Sequence, residues 1–339
     1  MTTVDTHRWT SPAEVSRVAT AALAAAGVAE AEQVVEVLVE TSLLGVHTHG
    51  IRLLGPYLEE LRRGVAEAEP ELVVRKDTGP VVQLDAGDAL GVVAGLRGVE
   101  LAVDRARRFG VGVVGVQRSN HFGAAGCYAR RIAEAGLLGF VTTSAASRVA
   151  PYGGTEPLFG TNPVAVAYGP EFCLDMATSQ VCFGEIKERG RTGTALEPGW
   201  AVDANGRGTT DPEQATSLSP LGGYKGQGLA MMVTVLTAVL VGGPLDFEMP
   251  HIGTAVEGRN VAHLLLALDP EALGGAEQAT AALDRLISAV RGNRAADPAS
   301  PVLIPGDPQR AHRERQLREG IELDSATIAL LDRLGGEHP

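Results

Sequence analysis

The spacing of apolar residues in the first third of the chain predicts three helices. Ser11–Glu14 read as a capping box with Pro12 at the first helical position, so a helix begins there and ends near Gly27. Apolar residues at helical spacing predict a second helix over 30–44 and a third over 51–63. The polar segment 45–50 lies between the second and third helices.

The hydrophobic period changes near residue 70 and then alternates between strand and helix. Short apolar runs predict strands over 72–74, 81–84, 111–116, 138–143, 164–168, 172–176 and 261–268. Helical spacing predicts further helices over 91–109, 124–135, 226–241, 276–291 and 324–334. The pattern predicts an α+β fold with a helical N-terminal lobe, and the length of 339 residues suggests about two domains.

Composition and charge restrict the partners of the chain. The 41 acidic residues outnumber the 29 basic ones, and a formal charge of −12 disfavours binding to nucleic acid. A local pocket can still hold a small anion. The three cysteines, Cys127, Cys173 and Cys182, show no CxxC spacing, which argues against a disulfide framework or a structural zinc site. With no apolar leader at the N-terminus, we expect a cytoplasmic protein.

One uncharged stretch, 226–245, has the length of a membrane span. Two threonines interrupt it, a Gly-Gly-Pro sequence ends it, and it lacks flanking aromatic belts. We therefore expect a buried core helix there and no membrane partner.

The segment Gly110–Gly115 matches the pattern GxGxxG. In a dinucleotide-binding fingerprint a strand precedes the glycines and a helix follows them. Here the predicted order is reversed, so these glycines indicate the end of a helix that leads into a buried strand.

Two histidine segments carry candidate chemistry. His47 and His49 flank Thr48 in the first inter-helix loop, where His49 could protonate a substrate oxygen while Arg52 holds a carboxylate. His121 begins a turn between a strand and a helix, and backbone N–H groups there could bind an anion. Chance surface histidines and an ordinary helix cap remain the alternatives.

Two further segments contain small, polar or glycine residues that suit ligand contact. Residues 175–180 follow a predicted strand, and 222–228 open the long apolar helix with Lys225 at its positive end. A cation in that unfavourable position suggests an anionic ligand, and an exposed loop lysine is the alternative.

Taken in order, these motifs resemble the type-2 malate/L-lactate dehydrogenase family. That family includes ureidoglycolate and sulfolactate dehydrogenases, diketogulonate reductases and piperideine-2-carboxylate reductases. The resemblance runs from about Ser11 to Leu334, and its most specific blocks are 120–123, 159–163, 175–180, 198–203 with 210–212, and 222–230.

The resemblance implies a non-Rossmann fold in which a mixed-sheet nicotinamide-binding domain packs on a helical domain. We expect the helical lobe to comprise 1–75, joined by 226–243 and 310–339, and the cofactor and substrate region to comprise 76–309. The implied reaction is hydride transfer between NAD or NADP and C2 of a 2-hydroxy or 2-oxo acid, in a cytoplasmic homodimer. The implied alternative is reduction of a cyclic imino acid or another C=N substrate.

The resemblance also implies roles for single residues. His49 matches the proton donor and acceptor, and Thr48 stands where Ser is usual. The family places a carboxylate-binding Arg four residues after that His, but here Leu53 occupies the position and Arg52 precedes it. One residue is about 100° of helix rotation, so Arg52 is the substrate-binding candidate in a changed position.

His121 is the rival acid or base, and Glu185 matches a relay acid that would raise the pKa of a neighbouring imidazole. Thr161 matches a substrate contact. The residues matching cofactor contacts are His121, Phe122, Gly123, Ala124, Ala125, Asp175, Met176, Ala177, Thr178, Ser179, Gln180, Lys225, Gly226, Pro305, Gly306 and Asp307. Because the arginine is displaced, a further alternative is a binding protein that keeps this fold and has lost catalytic activity.

Overall fold

The computed structural model describes residues 8–336 and confirms the helical start of the chain. Its first elements are β1 (Arg8–Thr10), α1 (Pro12–Ala25), α2 (Ala31–Leu43) and α3 (Leu54–Arg62). Two short 3₁₀ turns, His47–His49 and Ile51–Leu53, connect α2 to α3. The third helix therefore begins at Leu54, three residues later than its apolar spacing indicated.

A seven-stranded mixed sheet forms the centre of the molecule. In chain order the remaining strands are β2 (Val73–Asp77), β3 (Val81–Ala89), β4 (Val111–Ser119), β5 (Leu138–Thr143), β6 (Val164–Tyr168), β7 (Phe172–Met176), β8 (Ala201–Val202), β9 (Gly208–Thr209), β10 (Ser217–Leu218), β11 (Val261–Leu268) and β12 (Ile321–Leu323). The strand order in the sheet is β2-β3-β4-β11-β5-β6-β7. Only the β3–β4 pair among its described strands is parallel.

The remaining helices are α4 (Gly91–Phe109), α5 (Ala125–Glu134), α6 (Phe183–Thr192), α7 (Tyr224–Thr234), α8 (Ala276–Arg291), α9 (Asp307–Glu319) and α10 (Ser325–Gly336). Helices α4 and α5 contact the sheet strands, and Leu84, Val116 and Leu265 lie fully buried in the core that they share. The apolar pattern did not predict α6, α9 or the short strands. In α9 the only buried residue is Gln316, so this helix has no apolar period to detect.

The order of helix and strand around Gly110 agrees with the prediction. Gly110 ends α4 in the left-handed conformation, with φ of 81°, and β4 begins at the next residue. A residue with a Cβ is strained in that conformation, so glycine is needed at this C-cap. The GxGxxG match therefore marks a helix end that leads into a strand.

The long apolar segment after Lys225 differs from the buried core helix that we expected. Helix α7 ends at Thr234, and a π-helical turn follows over Val235–Val239. Leu236 and Val241 pack against the sheet, but Val239 and Leu240 are exposed. No helix within residues 8–336 is long and apolar enough to cross a membrane.

One continuous apolar core joins the N-terminal helices to the sheet through α4 and α5. Helix α1 contacts α10, and α2 contacts α9, so the C-terminal helices pack beside the N-terminal ones. Residues 235–241 of the segment 226–243 contact the sheet. The division into a helical domain and a mixed domain remains a prediction.

Candidate functional site

The turn that carries His49 is held tightly between α2 and α3. The Ser42 hydroxyl accepts a hydrogen bond from the Ile51 N–H at 2.9 Å, which fixes the chain on either side of Gly50. Thr48 Oγ1 lies 2.8 Å from His49 Nδ1. Burial lowers the pKa of His49, so the imidazole is neutral near pH 7 and its ring is oriented by the threonine.

His49 and Thr48 line a cavity of about 570 Å³, a volume typical of cofactor sites. We call it the first cavity. The structure brings together around it the following predicted site residues: Thr48, His49, Gly123, Ala124, Ala125, Thr161, Asp175, Met176, Ala177, Pro305 and Gly306. These residues come from five separate segments of the sequence, which the fold assembles beside the N-terminus of α5 and the end of β7.

Asp175 is the acidic group of the first cavity. Its Oδ2 accepts a hydrogen bond from the Gly126 N–H at 2.9 Å, and a Cβ at Gly126 would lie 2.7 Å from the same oxygen. Partial desolvation raises the pKa of Asp175 to about 6, against the opposing effects of Gly126 and Arg130. Within residues 8–336 no hydrogen bond occupies its Oδ1, which can therefore accept one from a ligand.

Arg130 is a lining residue that the sequence did not single out. It extends from α5 into the first cavity, and its buried Nε has no hydrogen-bond partner within the described residues. Its signal in the sequence was weak, because it is one of two adjacent arginines in α5. An acceptor carboxylate, a helix N-terminus and a guanidinium suit the hydroxyl and phosphate groups of a nicotinamide dinucleotide.

His121 lies beside His49, is partly exposed, and is not among the residues that line the first cavity. The two imidazole rings stack with centroids 5.7 Å apart. Tyr57 Oη lies 3.0 Å from His121 Nδ1, and the Tyr57 side chain is fully buried on α3. Sequence reasoning missed Tyr57, because it sits in the apolar row of α3 and resembles an ordinary core aromatic.

Phe122 and His263 form the inner support of the His121 turn. Their rings are nearly parallel, with centroids 4.4 Å apart. His263 Nδ1 lies 2.7 Å from Thr143 Oγ1, and its Nε2 lies 2.8 Å from Ser119 Oγ. Burial lowers the pKa of His263 to about 3, so a neutral, doubly hydrogen-bonded ring supports Phe122. Phe122 therefore packs inside the fold, outside the lining of the first cavity.

Two predicted residues, Arg52 and Glu185, line a second cavity of about 620 Å³. This second cavity adjoins the first, because Val46, Thr48 and Cys182 line both. Arg52 Nε lies 3.8 Å from Asp324 Oδ2, and Glu185 accepts a hydrogen bond from Arg189 at 3.0 Å.

These positions differ from what the resemblance implied. Arg52 points away from the lining of the first cavity, as the one-residue displacement along the helical turn suggests. Glu185 is engaged by Arg189, and burial is the cause that shifts the pKa of His49 downward. The expected elevation of the imidazole pKa by this carboxylate is therefore absent between these described residues.

The other predicted contacts lie outside the lining of the first cavity. Thr178 donates to the Thr161 carbonyl through both its N–H and its hydroxyl, which fixes the turn that carries Thr161. Ser179 donates to the Val181 carbonyl, and Gln180 accepts from the Gly222 N–H. These contacts connect the end of β7 to the loop that precedes α7.

Lys225 is exposed at the start of α7, and neither it nor the buried Gly226 lines either cavity. Asp307 forms an ion pair with Arg291 at 2.6 Å and accepts the Ile304 N–H at 2.9 Å. Asp307 therefore braces the loop that presents Pro305 and Gly306.

Comparison with known proteins decides the family. The model of the malate/L-lactate dehydrogenase family matches residues 10–332. The chain belongs to this family. Its relatives include the NADP-dependent (2R)-3-sulfolactate dehydrogenase of Chromohalobacter salexigens, 38% identical over 78% of this chain and 81% of that protein. The NAD-dependent ureidoglycolate dehydrogenase of Escherichia coli O157:H7 is 34% identical over 86% of this chain and 85% of that one.

The fold of the family member described here also matches solved structures. Sulfolactate dehydrogenase from Methanocaldococcus jannaschii superposes with a TM-score of 0.92 at 30% identity, over 97% of both chains. The comparisons confirm the expected family, the class of NAD(P)-dependent dehydrogenases, and a mixed-sheet α/β architecture.

Proposed function

We propose that this chain transfers a hydride between nicotinamide and C2 of a 2-hydroxy or 2-oxo acid, with His49 as the acid and base. The observation that carries the proposal is the placement of His49, fixed by Thr48, on the wall of the first cavity together with Thr161 and Asp175. The two relatives compared above are named for hydroxy-acid substrates, which favours this reaction over reduction of a C=N bond.

The first cavity would hold NAD or NADP in a non-Rossmann manner. Arg130 and the N-terminus of α5 would hold the pyrophosphate, and Asp175 would accept a hydrogen bond from a hydroxyl or amide. Bound nicotinamide supplies the hydride acceptor in oxidation and the hydride donor in reduction.

His49 would take the hydroxyl proton during oxidation and return it to the carbonyl oxygen during reduction. Its lowered pKa leaves the imidazole neutral and ready to accept that proton near pH 7. Thr48 would hold the ring by accepting or donating at Nδ1, according to the protonation of the ring. Much of the rate enhancement would come from holding the substrate, the nicotinamide and His49 in a reactive geometry.

Removal of the imidazole tests this assignment. In a His49→Ala variant we expect kcat to fall by roughly 10²–10⁴-fold. Absorbance of the reduced nicotinamide would be followed with malate, lactate, sulfolactate and ureidoglycolate as substrates. Cofactor binding, measured by fluorescence, should persist in the variant. Full turnover by His49→Ala would refute the role of His49, and no turnover by the parent protein across the panel would refute the activity.

The exposed apolar face of α7 and its π-helical turn supports the proposed homodimer. Met231, Val235, Val239 and Leu240 are each at least 45% exposed, and such a contiguous face is typical of an interface. A second copy of the chain would cover it. Light scattering should give twice the monomer mass, and a Leu240→Glu variant should shift the protein toward the monomer.

A further inference from the structure

The hydrogen bonds of His121 determine which of its nitrogens carries the proton. Nδ1 is the acceptor of the Gly123 N–H at 3.4 Å and lies 3.0 Å from Tyr57 Oη. A backbone N–H can only donate, so Nδ1 must present its lone pair. Burial raises the pKa of Tyr57, which keeps its hydroxyl proton available for the same nitrogen. The proton of the neutral ring is therefore on Nε2.

The charged groups around His121 oppose a second proton. Arg259 and Glu60 are 4% and 1% exposed and attract each other, and Arg259 Nη1 has no hydrogen-bond partner in the described part of the chain. The groups that act on the ring are His49 from the first 3₁₀ turn, Tyr57 from α3, Arg259 from the loop before β11, and His263 from β11. The pKa of His121 lies well below its ordinary value because of burial first, then His49, Arg259 and His263.

His49 differs from His121 in the partner of its Nδ1. The partner is the Thr48 hydroxyl, which can accept an N–H as readily as it donates one. His49 can therefore keep a lone pair on Nε2, take a proton there and share the charge with Thr48. His121 cannot do this while Gly123 and Tyr57 hold its Nδ1 as an acceptor, and loss of its Nε2 proton would leave an unstable imidazolate.

His121 is partly exposed, its ring stacks on His49, and both His49 and Gly123 line the first cavity. We propose that from this position His121 acts as a fixed neutral hydrogen-bond donor to the reacting oxygen through Nε2–H, that Tyr57 is its positioning residue, and that His49 alone transfers the proton. The inference rests on the proposed function and assigns separate roles to the two histidines. In oxidation, the hydroxyl O–H bond breaks and the N–H bond forms on His49. The His121 N–H stabilises the negative charge on oxygen, and no proton leaves it.

The tautomer can be measured without activity. Long-range ¹H–¹⁵N spectra of protein labelled at histidine nitrogens, recorded without cofactor from pH 6 to 8, report which nitrogen is protonated. The His121 signals are assigned by their loss in His121→Gln. We expect a neutral ring with Nε2–H. In Tyr57→Phe we expect some Nδ1–H tautomer, because only the long 3.4 Å contact from the Gly123 N–H then favours a lone pair on Nδ1. A ring protonated on Nδ1 would overturn the inference, and this readout stands whether or not the proposed activity is found.

Matched substitutions of His121 separate a donor from a base. The Gln amide N–H reaches about as far as Nε2–H, whereas Ala offers no donor. We expect His121→Gln to keep kcat within about tenfold of the parent and His121→Ala to lose about 10²–10³-fold. The pH profile of kcat/KM should keep its acidic limb in His121→Gln. A glutamine variant as inactive as the alanine variant, with that limb lost, would show that His121 is the base.

Tyr57→Phe tests the positioning role through the hydroxyl alone. The ring still fills the buried site, so folding should be preserved. We expect kcat to fall about tenfold with KM for the cofactor unchanged, because the hydroxyl acts on His121 and not on the first cavity lining. An unchanged kcat together with an unchanged tautomer would contradict the role of Tyr57.

Discussion

The two adjoining cavities have similar volumes, but their charged groups differ in how far they are paired within the protein. The first contains Asp175 Oδ1 and Arg130 Nε, neither of which has a hydrogen-bond partner among residues 8–336. In the second, the pairs Arg52–Asp324 and Arg191–Glu188 bring opposite charges within 3.8 Å and 2.6 Å. A ligand entering the first cavity gains hydrogen bonds, whereas a charged ligand in the second must first displace internal ion pairs.

The volume of a cavity therefore does not show whether it binds a ligand. The two cavities are neighbours, since Thr48 and Cys182 line both of them. What distinguishes the first cavity is hydrogen-bonding capacity that the protein itself does not use.

The largest effect on cofactor binding is expected from a side chain at Gly126. In Gly126→Ala the new Cβ meets Asp175 Oδ2 at 2.7 Å and must displace the carboxylate from its N–H partner. Because a hydrogen bond to a charged group is worth about 1.5–3 kcal/mol, cofactor affinity should fall about 10–100-fold. Isothermal titration of NADH and NADPH measures this change.

The matched control is Gly228→Ala in α7. A Cβ there meets no atom within 4 Å, and alanine favours the helix. Its cofactor affinity should equal that of the parent, and its Tm should rise slightly. Parental affinity in Gly126→Ala would mean that the first cavity is not the cofactor site. A thermal unfolding curve for each variant separates lost binding from lost folding.

Whether the sequence predicts a site residue depends on the element of structure that carries it. His49 and Asp175 stand in a loop and at a strand end, where a polar residue interrupts an apolar pattern and so becomes visible. No such interruption marks Tyr57 on α3, Arg130 on α5 or Arg259 in the loop before β11. Their sequence patterns are those of ordinary core or surface residues. Only the three-dimensional structure shows that these residues meet His121 and the first cavity.

The elements of the fold also divide into those that the sequence predicts and those that it does not. Strands with strong apolar runs, such as Leu138–Thr143 and Val261–Leu268, agree with the sequence-based boundaries, because burial on both faces leaves a clear signal. Helix α9 and the β8–β10 sheet do not, because α9 buries one polar side chain and these strands have two residues each. The displaced Arg52 was evident in the sequence, but its Asp324 partner was not.

A smaller effect is expected from titration of Asp175. Its pKa of about 6 means that the carboxylate is protonated below pH 6 and ionised above it. An ionised oxygen accepts a stronger hydrogen bond, so cofactor affinity should increase as pH rises through 6. We expect the Kd to be about three- to tenfold higher at pH 5 than at pH 7.5.

Two variants identify the titrating group. Asp175→Asn should remove the pH dependence near 6. Asp324→Asn should leave it intact, because hydrogen bonds from Thr327 and the charge of Arg52 outweigh burial and keep the pKa of Asp324 below its usual value. Persistence of the dependence in Asp175→Asn would assign it to another group and remove Asp175 from the binding contacts.

The smallest effect is expected from Arg52→Gln in the second cavity. The Arg52–Asp324 pair is half-exposed at 3.8 Å, and such pairs contribute about 0–1 kcal/mol, so stability should change little. KM for the hydroxy acid should change less than about threefold, since Arg52 does not line the first cavity. Arg62→Gln, which breaks an exposed pair with Glu59 on α3, is the matched control for losing one surface charge. A rise in KM of more than about tenfold in Arg52→Gln alone would show that Arg52 reaches the substrate, and that the two cavities act as one site during turnover.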